Sequence, residues 1–363
     1  MNALPVRDDL VALAGYHSPQ VSVDVRLNTN ESPYPPPGGW RAALVEELAT
    51  VAFHRYPDRG AIALRRALAA HHGIMPEQVY AANGSNEVLQ ALCLAYGGRG
   101  RTAAVFEPTY ALHSHIARIT GTAVATGERD QDFAIDLSEV ARVVSEADPA
   151  LTFLCSPNNP TGRADPSEVT EAVLDLAPGL VVVDEAYGQF SRWSALCLIV
   201  PGVRGGHNRP GSDRLVVVRT FSKTWSMAGA RLGYLVGPAR VVSALEQVAL
   251  PYHLDAVKQV AGRLALDYQA EMEARVALLV EERGRLYSAL GQMEADAWPS
   301  EANFILFRPR RRKGSEVWSE LVERSVLVRD CSSWPRLEGC LRVTVGTPGE
   351  NTAFLAALTE VLE

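Results

Sequence analysis

The chain carries 35 basic residues, and only Lys223, Lys258 and Lys313 among them are lysines. Lys223 stands in Thr220-Phe221-Ser222-Lys223-Thr224-Trp225, just past an apolar run. Arginine stays protonated, whereas a partly buried lysine can shed its proton and attack a carbonyl. A lysine kept there by an arginine-rich chain is therefore a candidate for imine chemistry.

Three more segments carry unusual chemistry, each after an apolar run. Ser156-Pro157-Asn158-Asn159-Pro160-Thr161-Gly162 follows one run, Asp184-Glu185-Ala186-Tyr187 the next, and Arg231 comes eight residues after Lys223. Asn83-Gly84-Ser85-Asn86-Glu87 reads as a glycine turn opening a helix, which aims backbone N–H groups at an anion. A phosphate cradle, a lysine and a buried carboxylate are together what pyridoxal 5'-phosphate needs. The lysine holds the aldehyde as a Schiff base. The carboxylate keeps the ring nitrogen protonated, so that the ring withdraws electrons. A tyrosine and an asparagine donating to the ring oxygen tune the imine.

The elements that must position these residues are legible as runs. Thr102–Phe106, Leu151–Leu154, Leu180–Val183, Arg214–Val218 and Gly233–Val236 are nearly continuous apolar stretches. That pattern suits strands buried on both faces of a mostly parallel sheet, whose ligands sit at the carboxyl ends of the strands. A helix is expected over Glu87–Tyr96, stopped by Gly97-Gly98. After Pro251 the texture changes. A long helical stretch from about Asp255 to Leu290 leads to a strand (Ala302–Phe307), a helix (Ser315–Arg324), strands around Val326 and Leu341, and a last helix from Asn351. The expected division is an arm over 1–40, a large domain over 41–250 and a smaller α+β domain over 251–363, with the long helix linking the two. Ser32-Pro33-Tyr34-Pro35-Pro36-Pro37-Gly38-Gly39 reads as extended arm or loop, and Arg308 to Lys313 as a solvated loop.

Composition narrows the class. A net charge of -7 gives no reason to expect nucleic acid. Five cysteines without a CxxC pair read as reduced, mostly buried thiols, so a cytoplasmic location is expected. There is no signal peptide and no run of the roughly 18 apolar residues a membrane span needs. His54, His113, His115 and His207 show no metal-ligand pattern, and His113 and His115, two apart, read as a helix-surface pair. GxGxxG and P-loop signatures are absent, which argues against a nucleotide-binding oxidoreductase. A DNA-binding extension, which a non-catalytic regulator would need, is absent as well.

The chain resembles the fold-type I aminotransferases, and among them the histidinol-phosphate aminotransferase family. The resemblance rests on Asn28-Thr29-Asn30-Glu31-Ser32-Pro33-Tyr34, Arg55-Tyr56-Pro57-Asp58 and the Asn83–Glu87 turn. It continues through Pro157–Gly162, Asp184–Tyr187, Ser222–Arg231, Val328-Arg329-Asp330-Cys331 and Gly339–Gly346, and runs from about residue 16 to the end. It implies a seven-stranded, mostly parallel sheet and pyridoxal 5'-phosphate as cofactor. Lys223 would form the imine and move the proton, Asp184 would face the ring nitrogen, and Tyr187 and Asn159 would bond the ring oxygen. Asn158 would shape the turn and Tyr110 would stack on the ring. Gly84, Ser85, Asn86, Ser222 and Arg231 would hold the phosphate, with Tyr56 arriving from a second subunit of a homodimer. Arg342 would bind the substrate's anionic group, with Arg329, Tyr16, Asn30 and Tyr252 around it. The reaction implied is amino transfer between histidinol phosphate and 2-oxoglutarate, giving imidazole acetol phosphate and glutamate. Two rivals use the same residues: an aminotransferase for aromatic or other amino acids, and a phosphate-ester decarboxylase with the same cofactor.

Overall fold

The computed structural model describes residues 20–200 and 210–363, together with 4, 6–11, 13 and 15. Tyr16 and His207 lie outside the described residues. The strands, in chain order, are β1 (Val25–Arg26), β2 (Val79–Ala82), β3 (Thr102–Glu107), β4 (Ala123–Glu128), β5 (Leu151–Cys155), β6 (Leu180–Asp184), β7 (Leu215–Thr220), β8 (Gly233–Val236), β9 (Ala295–Ala297), β10 (Phe304–Pro309), β11 (Val326–Leu327), β12 (Arg329–Asp330) and β13 (Leu341–Thr344).

Seven of them form one sheet in the order β2-β8-β7-β6-β5-β3-β4. β8 alone runs opposite to the other six strands. The valine-rich runs explain this sheet. In β6 and β7 successive side chains point to opposite faces, and both faces are covered. Val181, Val183, Leu215 and Val217 pack into one core. Val182, Val216 and Val218 pack into the other. β4 is an edge strand, half exposed and carrying Gly127, and its weaker pattern kept it out of the sequence reading.

A second sheet, in the order β12-β13-β10-β9, is antiparallel throughout. Its apolar face packs against the helix Gln269–Leu290 through Leu279, Leu286 and Leu290. Met272, near the start of that helix, sits in the core of the large sheet. One helix therefore enters both cores. A short helix Ala256–Ala265 and a single 3-10 turn precede it, where the sequence suggested one stretch.

The N-terminal segment, expected as an extended arm, is tied to the small sheet and to β11. β1 pairs in parallel with β11. Leu27 is buried in the small-sheet core, and its carbonyl accepts from Thr344 N at 2.9 Å. Gly38 and Gly39 open the helix Gly38–Leu48, whose Trp40 is buried. The indole N–H of Trp40 donates to the Ala261 carbonyl at 3.0 Å. Arg308 and Pro309 belong to β10, not to a loop, and Arg308 and Arg310 pair with Asp296.

Candidate active site

The carboxyl ends of β5, β6 and β7 stand side by side. Cys155 is in register with Asp184, and Asp184 with Val218. The segments that follow each strand therefore converge on one place. There they line a cavity of about 250 Å³, shared with Asn28–Glu31 of the N-terminal segment.

Lys223 is half-buried and faces this cavity, with Nζ donating to the Thr29 carbonyl at 3.0 Å. Burial lowers its pKa to about 7, and the charges of Arg342 and Arg231 push the same way against Glu31. A lysine in that range carries a usable unprotonated fraction at neutral pH.

Asp184 is fully buried. Its Oδ1 accepts from Ala186 N at 3.0 Å and its Oδ2 lies 3.0 Å from His113 Nε2. A carboxylate only accepts, so Nε2 must carry the hydrogen. His113 is buried as well, stacked on Phe153 with ring centroids 5.0 Å apart. The expectation of a helix-surface pair is thus wrong for His113. In the helix Leu112–Ile119, His113, Ile116 and Ala117 share the buried face while His115 lies only part-buried. Spacing by two residues could not reveal that register, although His113, Ile116 and Ala117 do follow the i, i+3, i+4 pattern of a buried face.

Tyr187 is buried and its hydroxyl accepts from Asn30 Nδ2 at 2.9 Å. Burial raises its pKa to about 12, so it remains a hydrogen-bond donor at neutral pH. Asn159 and Arg342 meet, with Nη1 donating to Oδ1, and Arg342 Nη2 donates to the Asn28 carbonyl at 3.0 Å. That arrangement leaves the amide N–H groups of Asn159 free to point elsewhere. Asn158 donates to Thr161 Oγ1 within its own turn and to the Pro108 carbonyl, and accepts from Thr109 Oγ1, so it ties that turn to the segment after β3.

The anion cradle lies where the helix Ser85–Tyr96 begins. Gly84, at φ 81°, sits in its N-cap position, and no side chain caps the helix. A Cβ at Gly84 would stand 2.8 Å from Arg231 Nη2, and one at Gly233 would stand 2.3 Å from Ser85 N. Both glycines are therefore needed for the close approach. Arg231 is exposed at the rim and donates to Ser222 Oγ at 3.4 Å. Uncapped helix N–H groups, a serine hydroxyl and a guanidinium around one space suit a phosphate. Tyr110 completes the wall, with its hydroxyl donating to Asn86 Oδ1 at 3.2 Å.

Some expected residues stand apart. Tyr56 is 80% exposed and stacks on Tyr252, with centroids 4.4 Å apart, outside its own chain's cavity. Arg329 is buried and lies opposite Arg342 in the register of β12 and β13, behind the cavity wall. Trp334 lines the cavity beside both arginines and was not singled out from the sequence. A tryptophan in a polar loop between two arginine segments was the available signal.

A lysine of lowered pKa beyond a doubly wound sheet, beside a buried carboxylate and an uncapped helix start, defines the fold-type I aminotransferase class. The family model for aminotransferases of class I and II matches residues 22–358. A histidinol-phosphate aminotransferase from Corynebacterium diphtheriae is 42% identical, covering 100% of this chain and 98% of that protein. One from Streptomyces avermitilis is 44% identical over 99% of this chain and 96% of its own. The structure of the Sinorhizobium meliloti histidinol-phosphate aminotransferase in complex with pyridoxal-5'-phosphate shares the fold. It has a TM-score of 0.83 at 22% identity, covering 94% of this chain and 91% of that one. The chain belongs to the class I and II aminotransferases and, within them, to the histidinol-phosphate aminotransferase family. Its cofactor is pyridoxal 5'-phosphate, and the uncapped helix start and the two glycines form a cradle that fits the phosphate of that group.

Proposed function

We propose that the chain exchanges an amino group between histidinol phosphate and 2-oxoglutarate, as a homodimer in the cytoplasm. The observation that carries this reading is Arg342: a buried guanidinium in the wall of the cavity that Lys223 also lines. The names of the relatives, similar over nearly their whole length, support the same substrate.

When bound, the cofactor supplies a ring that withdraws electrons from the reacting carbon. The rest is done by the chain. Lys223 would hold the cofactor through Nζ and, once displaced, carry the proton between substrate carbon and cofactor carbon. Its lowered pKa suits both tasks. Asp184, oriented by His113 Nε2 and Ala186 N, would face the ring nitrogen. Tyr187 and the Asn159 amide would donate to the ring oxygen, and Tyr110 would cover the ring face. Ser85, Asn86, Ser222 and Arg231, with Gly84 at the turn, would bind the phosphate.

Arg342 would clamp the anion of either substrate, a carboxylate in one half-reaction and a phosphate ester in the other. A guanidinium fork serves both shapes. Asn30, bonded to Tyr187 and Thr344, would line the substrate side. We assign Arg329 a supporting place behind Arg342. Tyr56 and Tyr252 form an exposed aromatic pair, and Phe53 and Leu250, close to them in sequence, are exposed as well. That patch suits a subunit interface, across which Tyr56 would reach the partner's cofactor phosphate. The proposed division remains an arm to residue 40, a large domain to 250 and a small domain beyond. No helix among the described residues is long and apolar enough to cross a membrane.

The test is a donor panel. Histidinol phosphate should react with a kcat/KM at least about tenfold above phenylalanine, since the lost phosphate contact is worth roughly 1.5–3 kcal/mol. Equal values would favour a broad aromatic aminotransferase. Loss of carbon dioxide from a phosphorylated amino acid would favour the decarboxylase.

A further inference from the structure

Among the described residues, three aromatic side chains line the cavity: Tyr110, Tyr187 and Trp334. The first two lie beside the residues assigned to the cofactor. Trp334 lies at the arginine end, with its ring 5.5 Å from Arg329 Cζ and 5.9 Å from Arg342 Cζ. Phe304 contributes a second ring at that end, 5.1 Å from Arg342 Cζ.

The two arginines face each other directly across the β12–β13 pair. Like charges at opposed positions of an antiparallel pair repel. An indole face carries negative potential and attracts a guanidinium, which offsets that repulsion without occupying the N–H edges. The N–H edges of Arg342 are not taken up by the rings: Nη1 and Nη2 donate to Asn159 and Asn28, and buried Nε has no hydrogen-bond partner.

Trp334 is itself held in place from outside the cavity. It rides on the loop between β12 and β13, whose ends are tied by Cys331 N donating to the Cys340 carbonyl at 3.0 Å. Leu337, Cys331 and Cys340 of that loop pack with Phe133 and Leu306. Arg336, beyond Trp334, donates to the carbonyls of Arg129 and Asp130, and lies 3.7 Å from Glu128. Glu128 ends β4 of the large sheet. The loop thus spans from the small sheet to the large one, with the indole underneath.

We propose that Trp334 is a positioning residue for the anion clamp: held by this clasped loop, its indole keeps Arg342 and Arg329 in place and so sets the affinity for the anionic end of both substrates. The proposal rests on the amino-transfer reading above. It does not give Trp334 contact with the reacting atoms.

The experiment compares Trp334→Ala and Trp334→Phe holoenzymes with the parent. Three quantities are read: KM and kcat for histidinol phosphate, the same for 2-oxoglutarate, and the inhibition constant of inorganic phosphate. In Trp334→Ala both KM values and the phosphate constant should rise roughly five- to thirtyfold, the range of cation–π contacts. The kcat at saturation should change by less than about twofold, since only ground-state and transition-state binding alike are weakened. Trp334→Phe, which keeps a π-face, should recover most of the loss. Unchanged KM and phosphate constant overturn the proposal, as does a fall in kcat at constant KM or a phenylalanine variant as damaged as alanine. If Trp334→Ala does not fold, exposed Arg336→Ala tests the clasp. It should move the same constants in the same direction, and unchanged constants in that folded variant overturn the proposal. A parent enzyme inert towards histidinol phosphate sinks the substrate reading instead, while the phosphate constants still decide the role of Trp334.

Discussion

Lys223 and Asp184 show two opposite uses of burial. Around Lys223 the protein disfavours the charged form, whereas around Asp184 it supplies hydrogen-bond donors to a carboxylate. The first has a consequence for stability. The native pKa of Lys223, about 7, lies below its ordinary 10.5. Between those values the unfolded chain binds the extra proton, so stability rises with pH across that window. Thermal midpoints of cofactor-free protein should climb from pH 7 upward more steeply in the parent than in Lys223→Met. Identical slopes would mean the lysine is not desolvated. For Asp184, substitution by Asn should leave cofactor bound but cut turnover by at least about 10²-fold. His113→Phe keeps the stacking on Phe153 and removes the bond to Asp184, which should cost roughly tenfold in kcat. Full activity in His113→Phe would show that Asp184 needs no help from the imidazole.

At the scale of elements, the site depends on how the ends of β6 and β7 are tied. Glu185, one residue past Asp184, bonds Arg219 of β7 at 2.8 Å, and both are buried. The same carboxylate accepts from Ser194 Oγ at 2.7 Å. Tyr234 of β8 bonds His72 Nε2 at 2.9 Å. Breaking a buried pair leaves an unpaired charge, at about 3–5 kcal/mol. Glu185→Gln should therefore lower the thermal midpoint by several degrees, and Glu185→Leu with Arg219→Met should recover much of it. A Glu185→Gln protein as stable as the parent would show the pair to be dispensable.

The sequence revealed these elements unevenly, for physical reasons. β5, β6 and β7 were legible because strands covered on both faces need unbroken apolar runs. Lys223, Asp184 and the Gly84 turn were legible because their residue types are costly or unusual at strand ends. His113 was not, since helix register decides which of two histidines turns inward. Nor was the contribution of Leu27 to the small core, because a two-residue pairing of β1 with β11 leaves no periodicity to read. Trp334 depended on a long-range clasp by Arg336 that local pattern cannot express.

At the scale of the whole molecule, one chain supplies a complete lysine site but holds Tyr56 away from it. If Tyr56 serves the neighbouring subunit, two defective chains can repair each other. Lys223→Ala and Tyr56→Ala subunits, unfolded and refolded together, should form hybrids with one intact site. Their activity should exceed the sum of the separately refolded parents, and mere additivity would place Tyr56 outside any shared site. The central claim is that this cavity moves nitrogen from histidinol phosphate to 2-oxoglutarate through Lys223. Its most direct test follows ¹⁵N-labelled histidinol phosphate incubated with 2-oxoglutarate. The parent enzyme should place the label in glutamate in step with imidazole acetol phosphate formed, and Lys223→Ala should place none there. Label released as ammonia, label absent from glutamate, or transfer persisting in Lys223→Ala would contradict that claim.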